Sequence, residues 1–389
     1  MEFLKAPATL VLVILSLTIC SPIISAQNKG GYWPAWAQDF FPPSNIETAY
    51  FTHVYYAFLS PNDVTFQFDV DATTASALNS FNTALHAKNP PVKTLFSIGG
   101  GSAGQAELLS KMASSANSRA SFISSTIQVA RNYGFDGADL DWEYPQTQTD
   151  MNNFGLLLDE WRVAVNNEAS STGKPRLLLS AATRYKSEFV TDSGVNVKYP
   201  VASINKNLDW INAMCYDYHG PWTPDATGAP AALYDPNGDL STSNGLQSWI
   251  SAGIQRQKLV MGMPLYGWTW TLKDPSVNGI GAPADGIGPG NEGAMLYSEV
   301  QQFNVENNAN VVYDTQTVSY YSYAGTSWIG YDDVNSVQTK VQYAKSLNIG
   351  GYFFWTAVGD QDWKISRLAS QTWTAGLLEN QWRTSGLEE

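Results

Sequence analysis

Short runs of β-branched and aromatic residues alternate along the chain with longer segments whose apolar side chains recur at helical spacing. In segment 118–133, Phe122, Ile123, Ile127 and Val129 fall on one stripe, which is the pattern of a helix packed against a core. The runs that predict strands are 31–33, 51–58, 94–98, 134–141, 177–182, 210–216, 259–265 and 351–355. Eight strands separated by helices predict an α/β fold, a closed (β/α)8 TIM barrel.

The connection between the seventh and eighth predicted strands is too long for one crossover helix. Between Gly267 and Gly350 lie 82 residues, which include a Gly/Pro-rich stretch at 277–293 and strand-like runs at 311–314 and 317–323. This pattern predicts a small α+β insertion subdomain that forms one wall of the cleft. The predicted division is therefore a barrel at 27–267 and 333–376, an insertion at 268–332 and a tail at 377–389.

The amino-terminal residues 1–26 predict a secretory signal peptide. The apolar run 10–19 is too short to span a bilayer, and a small-residue sequence ends at Ala26. A buried core helix is the alternative interpretation of this run. Cleavage after Ala26 would remove Cys20 and leave Cys215 as the only cysteine, so the mature chain would have no internal disulfide. We expect an extracellular or vacuolar protein.

The amino-acid composition indicates the type of protein and limits the classes of molecule that it could bind. Hydrophobic residues make up 44% of the chain and charged residues 15%, which indicates a globular protein with a large core. The 14 Trp, 20 Tyr and 16 Phe exceed the needs of such a core, and aromatic rings also stack on sugar faces. A net charge of −13 argues against nucleic acid or an anionic membrane as partner. We expect a monomer with no cofactor and no metal.

The predicted fourth strand contains a row of acidic residues. Side chains on a strand alternate between faces, so Asp139, Asp141 and Glu143 share one face, and the intervening apolar residues share the other. In a barrel, the acidic face enters the lumen with Glu143 at the C-terminal mouth. Like charges and desolvation raise at least one pKa, so that a carboxyl group stays protonated and can act as a general acid.

A solvated acidic edge and a metal site are the alternatives for this row. A solvated edge would not carry Ala138, Leu140 and Trp142 on its reverse face. A metal site would require further ligands, and the three histidines of the chain are scattered through the sequence.

The run D-G-x-D-x-D-x-E, formed by Asp136, Gly137, Asp139, Asp141 and Glu143, resembles the signature of glycoside hydrolase family 18 chitinases. The likeness extends over nearly the whole chain after the signal segment and is strongest to plant class V chitinases. Further family landmarks stand at predicted strand ends: Ser97-Ile98-Gly99-Gly100, Met214-Cys215-Tyr216-Asp217, Gly262-Met263-Pro264-Leu265-Tyr266-Gly267 and Trp355.

The resemblance implies a retaining chitinase that cleaves β-1,4 bonds between N-acetylglucosamine units of chitin and chito-oligosaccharides. The nucleophile would be the substrate's own acetamido oxygen, an exception to the two-carboxylate scheme. Glu143 would be the catalytic acid, and Asp141 would orient the acetamido N–H. Asp139 would share a proton with Asp141, and Tyr216 would donate its O–H to the acetamido oxygen. The implied substrate-binding residues are Tyr32, Phe58, Gly99, Gly100, Tyr144, Met214, Asp217, Tyr266 and Trp355, with the glycines leaving room for the sugar.

Some positions depart from the family pattern. Trp268 stands where many relatives have Arg. Gly101, Ser102 and Ala103 follow the two strand-three glycines, where animal-type members have Trp. These departures concern outer subsites and leave open the chain-length preference and whether modified chito-oligosaccharides, such as bacterial nodulation signals, are substrates. A chitin-binding lectin and an inhibitor of foreign glycosidases are the alternative functions on this fold. Release of reducing ends from a chito-oligosaccharide separates the enzyme from a lectin.

Overall fold

Eight parallel strands close into a barrel in the computed structural model, which describes residues 27–375. The predicted signal peptide and the predicted tail lie outside these residues. The barrel strands are Asn28–Pro34, His53–Leu59, Lys93–Gly99, Gly137–Asp141, Leu178–Arg184, Trp210–Met214, Leu259–Pro264 and Gly351–Trp355. They follow one another around the barrel in chain order, and the first pairs with the eighth. The predicted (β/α)8 fold is confirmed, and every predicted strand overlaps an observed one.

Two of the barrel strands, the fourth and the sixth, are shorter than predicted by at least two residues. The fourth begins at Gly137 because Gly134, with φ 79°, ends the preceding helix in a left-handed conformation. The sixth ends at Met214, and the chain then turns at Asp217, whose φ is 59°. Tyr216 and Asp217 therefore lie beyond the strand, at the rim of the barrel.

Helices surround the barrel and cover its outer face. They are Ala72–His86, Gln105–Ala113, Ala116–Tyr133, Gln148–Thr172, Val201–Asn207, Thr242–Ser251, Val334–Ser346 and Lys364–Thr374. Short 3-10 turns lie at Ala35–Ala37, Pro43–Asn45, Thr48–Tyr50, Arg256–Lys258 and Ala357–Gly359, and a small hairpin pairs Glu188–Val190 with Asn196–Lys198. The predicted stripe of helix Ala116–Tyr133 is observed, since Phe122, Ile123 and Val129 are buried and Ile127 is partly buried. None of the helices within residues 27–375 is both long enough and apolar enough to cross a membrane.

A six-stranded antiparallel sheet and one helix lie between the seventh and eighth barrel strands. The strands are Tyr266–Leu272, Ala284–Ile287, Ala294–Leu296, Asn310–Asp314, Ser319–Ala324 and Ser327–Tyr331, and the helix is Tyr297–Glu306. This inserted unit begins at Tyr266, two residues before the predicted start at 268. Tyr266 and Trp268 thus belong to the inserted sheet and not to the barrel.

The barrel wall separates two hydrophobic clusters. The larger cluster fills the space between strands and helices, and it contains Ala138 and Leu140 of the fourth strand. The smaller cluster fills the lumen with aromatic side chains, among them Tyr32 and Tyr55, whose rings stack at 4.3 Å. This aromatic packing fills the lumen of the barrel with side chains.

Candidate active site

The fourth barrel strand places its acidic and apolar residues on opposite faces. Asp139 and Asp141 are buried in the lumen, while Ala138 and Leu140 are buried among the outer helices. Glu143 lies two residues beyond the last strand residue and is partly exposed. The alternation predicted from the sequence is therefore the one observed, because a strand repeats every two residues.

Three hydroxyl groups satisfy the carboxylate of Asp139. Ser180 Oγ donates to Oδ1 at 2.6 Å, and Tyr32 Oη and Ser97 Oγ donate to Oδ2 at 2.7 and 2.8 Å. Ser97 and Ser180 flank Asp139 in register on the third and fifth strands. Burial raises the pKa of Asp139, but these donated hydrogen bonds oppose the shift by stabilising the ionised form.

Asp141 lies in a different environment two residues along. Its Oδ1 is buried and has no hydrogen-bond partner among residues 27–375. Burial, followed by the charges of Glu143 and Asp139, raises the pKa of Asp141 well above its usual value. Buried polar atoms without a partner are rare in folded proteins, so this oxygen is positioned to interact with a ligand group that enters the cavity.

Glu143 has the electrostatic properties of a general acid. Burial, and next the charge of Asp217, raises the pKa of Glu143 to about 7. Tyr144 and the charge of Arg184 oppose this shift, and the Arg184 guanidinium lies 5.1 Å from the centre of the Tyr144 ring. A carboxyl group with such a pKa is protonated in mild acid and can give its proton to a leaving oxygen.

A cavity of about 220 Å³ surrounds these groups at the mouth of the barrel. Its lining residues are Tyr32, Phe58, Gly101, Asp141, Glu143, Ala182, Met214, Tyr216, Asp217 and Trp355. The rings of Phe58 and Trp355 are stacked with their centres 5.5 Å apart. The cavity thus combines acidic groups, a phenol hydroxyl and flat apolar surfaces, which is the chemistry of a site that binds and protonates a sugar.

Residues 28–362 match the protein family described as "Glycosyl hydrolases family 18". The chain belongs to this family. It is 50% identical to "Class V chitinase CHIT5a" of Medicago truncatula, over 89% of each chain, and 49% identical to "Nod factor hydrolase protein 1" of the same species, also over 89% of each chain. A solved structure of a class V chitinase mutant from Nicotiana tobaccum in complex with NAG4 superposes with a TM-score of 0.85 at 41% identity, covering 90% of this chain and 100% of that chain.

Eight of the predicted site residues of this family 18 glycoside hydrolase line the cavity at the mouth of the barrel. They are Tyr32, Phe58, Asp141, Glu143, Met214, Tyr216, Asp217 and Trp355. Asp139 is not among the lining residues, but its Oδ2 accepts a hydrogen bond from Tyr32, which lines the cavity. Tyr144 packs against Phe189 with ring centres 5.7 Å apart. Tyr266 donates its hydroxyl to Asp217 Oδ1 at 2.6 Å.

The structure assigns the two strand-three glycines a different reason from the one expected. Gly99 has φ 106°, and a Cβ there would lie 2.3 Å from the carbonyl oxygen of Asp141. Gly100 has φ 86°, and a Cβ there would lie 2.7 Å from the ring of Phe58. The space that these glycines leave is thus filled by protein atoms. Gly101 is the glycine that lines the cavity, where a Cβ would lie 3.3 Å from Glu143 Oε1.

Several residues of the site were not identified from the sequence. Ser180 and Arg184 on the fifth strand were not singled out. Ser97 was noted only as part of a family landmark, and Gly101 only as a departure from the family pattern. The sequence signal for Ser180 and Arg184 was the alternation of side chains along a strand, which places both on the inward face of the fifth strand. Alternation predicts which face a residue lies on, but only the register between strands shows which residue of that face contacts Asp139.

A second cavity of about 440 Å³ adjoins the first on the side of the inserted sheet. Asp217 and Trp355 line both cavities. Trp268, at the position noted as a departure from the family, donates its indole N–H to Asp217 Oδ1 at 2.7 Å. Within residues 27–375, no three His, Cys, Asp or Glu side chains are grouped so that they could hold a metal ion.

Proposed function

We propose that this family 18 glycoside hydrolase cleaves β-1,4 bonds between N-acetylglucosamine units of chitin and chito-oligosaccharides by substrate-assisted retention. One observation carries the proposal: Glu143, with its pKa raised to about 7, shares a cavity with Tyr216 and with Asp141 Oδ1, which has no hydrogen-bond partner among residues 27–375. The relatives named as class V chitinases and the related structure in complex with NAG4 support the substrate class.

In the first step, Glu143 gives its proton to the glycosidic oxygen while the C1–O bond breaks. The acetamido oxygen of the same sugar attacks C1 from the opposite face and forms an oxazolinium ion. The Glu143 carboxylate takes a proton from water as the water oxygen attacks C1 from the original face. The C1–O bond of the oxazolinium ring breaks, which restores the acetamide, and Glu143 is again protonated. No carboxylate of the protein forms a bond to the sugar in this scheme.

Asp141 and Tyr216 are suited to hold the two ends of the acetamide. Burial and neighbouring acidic groups raise the pKa of Tyr216 well above its usual value, so its hydroxyl remains a donor for the acetamido oxygen. Asp141 Oδ1 is an acceptor for the acetamido N–H. Burial raises the pKa of both Asp139 and Asp141, but the three hydroxyl donors oppose the shift only at Asp139. We therefore expect a proton held by these two residues to lie on Asp141.

The remaining cavity residues place the sugar ring. Trp355 would lie under the reacting ring, with Phe58 stacked against it. Asp217, at the junction of the two cavities, would accept a hydrogen bond from a sugar hydroxyl. A chitin-binding lectin would need the stacking surfaces but not an acid with a raised pKa, so the intact set of Glu143, Asp141 and Tyr216 favours the enzyme.

The anomer of the first product tests this mechanism. Proton NMR of a fresh digest of an N-acetylglucosamine oligomer, read before mutarotation, is expected to show the β-anomer. An oligomer made only of glucosamine is expected to remain intact, because it lacks the internal nucleophile. An initial α-product, or rapid cleavage of the glucosamine oligomer, would contradict substrate assistance.

We further infer that the protein is exported, because an apolar run and a small-residue sequence precede Gln27. Expression of the full chain in a secreting host, followed by amino-terminal sequencing, is expected to give a mature protein that begins at Gln27. Retention of residues 1–26 on the mature protein would contradict export by cleavage.

A further inference from the structure

The cavity next to the catalytic one has the walls of a sugar-binding groove. Trp36 and Phe40 line it; they are 60% and 59% exposed, and their rings are stacked with centres 5.9 Å apart. Trp268 and Trp355 line it as well. Exposed pairs of large aromatic rings mark ligand surfaces, and flat rings of this kind stack on sugar faces. Since Asp217 and Trp355 line both cavities, a chain bound at the catalytic cavity would continue into this groove.

The charges in the groove all have one sign. Asp217 and Glu299 are its charged side chains, and no Lys or Arg of residues 27–375 lines it. The hydrogen bonds to both acids come from neutral donors: Tyr266 and Trp268 donate to Asp217 Oδ1, and the backbone N–H of Leu296 donates to Glu299 Oε2 at 2.7 Å. Neither negative charge is therefore compensated by a cation within the groove.

We propose that this groove binds a glucosamine unit, with its protonated amino group, beside the N-acetylglucosamine unit that is cleaved. Partially deacetylated chitin would then be a substrate that the groove favours over fully acetylated chitin. An ammonium group gains attraction from the two carboxylates, whereas an acetamide carries no charge. The inference rests on the proposed function, because the catalytic cavity must still receive an acetylated unit.

Product sequencing of a partially acetylated chitosan digest tests the proposal. The units on both sides of each cut are read by mass spectrometry, at low and at high ionic strength. The cleaved unit is expected to be acetylated, and glucosamine is expected to be enriched about two- to fivefold at one neighbouring position, as befits a partly exposed ion pair. The enrichment is expected to fall at high salt, because the screening length shrinks from about 30 Å at 0.01 M to about 3 Å at 1 M.

Matched variants assign the effect to the groove. Glu299→Gln keeps the side-chain shape and an oxygen for the Leu296 N–H, but removes one charge, so the enrichment is expected to fall to about half or less. Glu306→Gln changes the net charge equally at the other end of helix Tyr297–Glu306, and Glu306 does not line the groove. This control is expected to keep the full enrichment. Trp268→Arg adds a cation beside Asp217 and is expected to abolish the preference for glucosamine.

Two results would overturn the inference while the proposed function stands. One is cleavage of acetylated oligomers together with no glucosamine enrichment on either side of the cut. The other is an equal loss of enrichment in Glu299→Gln and Glu306→Gln, because net charge and not the groove would then explain it. Failure to cleave acetylated oligomers at all would instead contradict the proposed function.

Discussion

At the scale of single residues, three carboxyl groups two positions apart have three different environments. Asp139 receives three hydroxyl hydrogen bonds, Asp141 has a buried oxygen without a partner among residues 27–375, and Glu143 lies partly exposed near the charge of Asp217. Environment rather than residue type sets these pKa values. The proposed function therefore assigns different roles to three carboxyl groups of the same chemistry: Asp141 contacts the acetamide, Glu143 donates the proton, and Asp139 stays hydrogen-bonded within the lumen.

The first prediction concerns the acid. Glu143→Gln is expected to keep the fold and oligosaccharide binding but to lower kcat by about 10²- to 10⁴-fold, because the amide cannot donate the proton. Hydrolysis rates and calorimetric binding of an N-acetylglucosamine oligomer measure the two effects. Glu188→Gln, at a half-exposed glutamate paired with Lys198, is the control. Near-normal hydrolysis by Glu143→Gln would remove this residue from the role.

The second prediction concerns pH. Because the pKa of Glu143 is raised to about 7, the acid is protonated below that pH and loses its proton above it. Activity is expected to be highest in mild acid and to fall about tenfold per pH unit well above neutrality. Asp217→Asn removes a like charge, lowers the pKa of Glu143 and should move this decline to lower pH. A kcat/KM profile that is highest well above neutral would contradict the assignment.

At the scale of elements, the strand ends form the site by close backbone approach. The third strand ends at Gly99, whose neighbour Gly100 donates its backbone N–H to the Asp141 carbonyl oxygen at 2.9 Å. A Cβ at Gly99 would lie 2.3 Å from the same oxygen. The placement of Asp141 therefore depends on a glycine in the adjacent strand, and not only on its own strand.

The third prediction follows from this contact. Gly99→Ala is expected to lower the free energy of unfolding by about 1–3 kcal/mol more than Gly104→Ala. Both variants place a side chain on a left-handed backbone, but only the Cβ at residue 99 also clashes with the carbonyl oxygen of Asp141. Gly104 is a matched control: its φ is 84°, but a Cβ there would meet no atom within 4 Å. Gly104→Ala should lower the free energy of unfolding by about 1–2 kcal/mol, which is the cost of the left-handed backbone conformation alone. Urea unfolding and kcat/KM measure the effects, and equal losses in the two variants would contradict the steric argument.

At the scale of the whole molecule, a buried ion pair joins the inserted unit to the barrel. Lys340, on helix Val334–Ser346, donates to both carboxylate oxygens of Asp332 at 2.6 Å and to the carbonyl oxygen of Ala231. Asp332 follows the last strand of the inserted sheet, and Ala231 is a buried member of the lumen cluster. Both charged side chains are 1% exposed, so one ammonium group connects three segments around the site.

The fourth prediction tests this connection. Lys340→Met leaves the Asp332 charge buried without a partner and is expected to cost about 3–5 kcal/mol, whereas Lys340→Met with Asp332→Leu should recover most of that loss. Lys364→Met is the control, since Lys364 is 46% exposed and lies 3.4 Å from Asp333, and its cost should be below about 1 kcal/mol. Denaturant unfolding measures the free energy of unfolding of the two Lys340 variants and of Lys364→Met. If Lys340→Met lowered the free energy of unfolding as little as Lys364→Met does, the Lys340–Asp332 ion pair would not be needed to stabilise this connection.

The amino-acid sequence by itself determined the features that repeat locally. The period of two in residues 138–143 separates the acidic face from the apolar face, and hydrophobic runs with helices between them indicate eight strands. The excess length between Gly267 and Gly350 indicates the insertion. These features are predictable because each depends on side chains near one another in the chain.

Only the tertiary structure decided how the strands and loops meet. Strand register places Ser97 and Ser180 beside Asp139, and the turn at Asp217 brings its carboxylate to Trp268 of the inserted sheet. The reason that Gly99 must be glycine also lies in another strand. These contacts join residues far apart in the chain, and neither periodicity nor composition specifies a register between strands or the path of a loop.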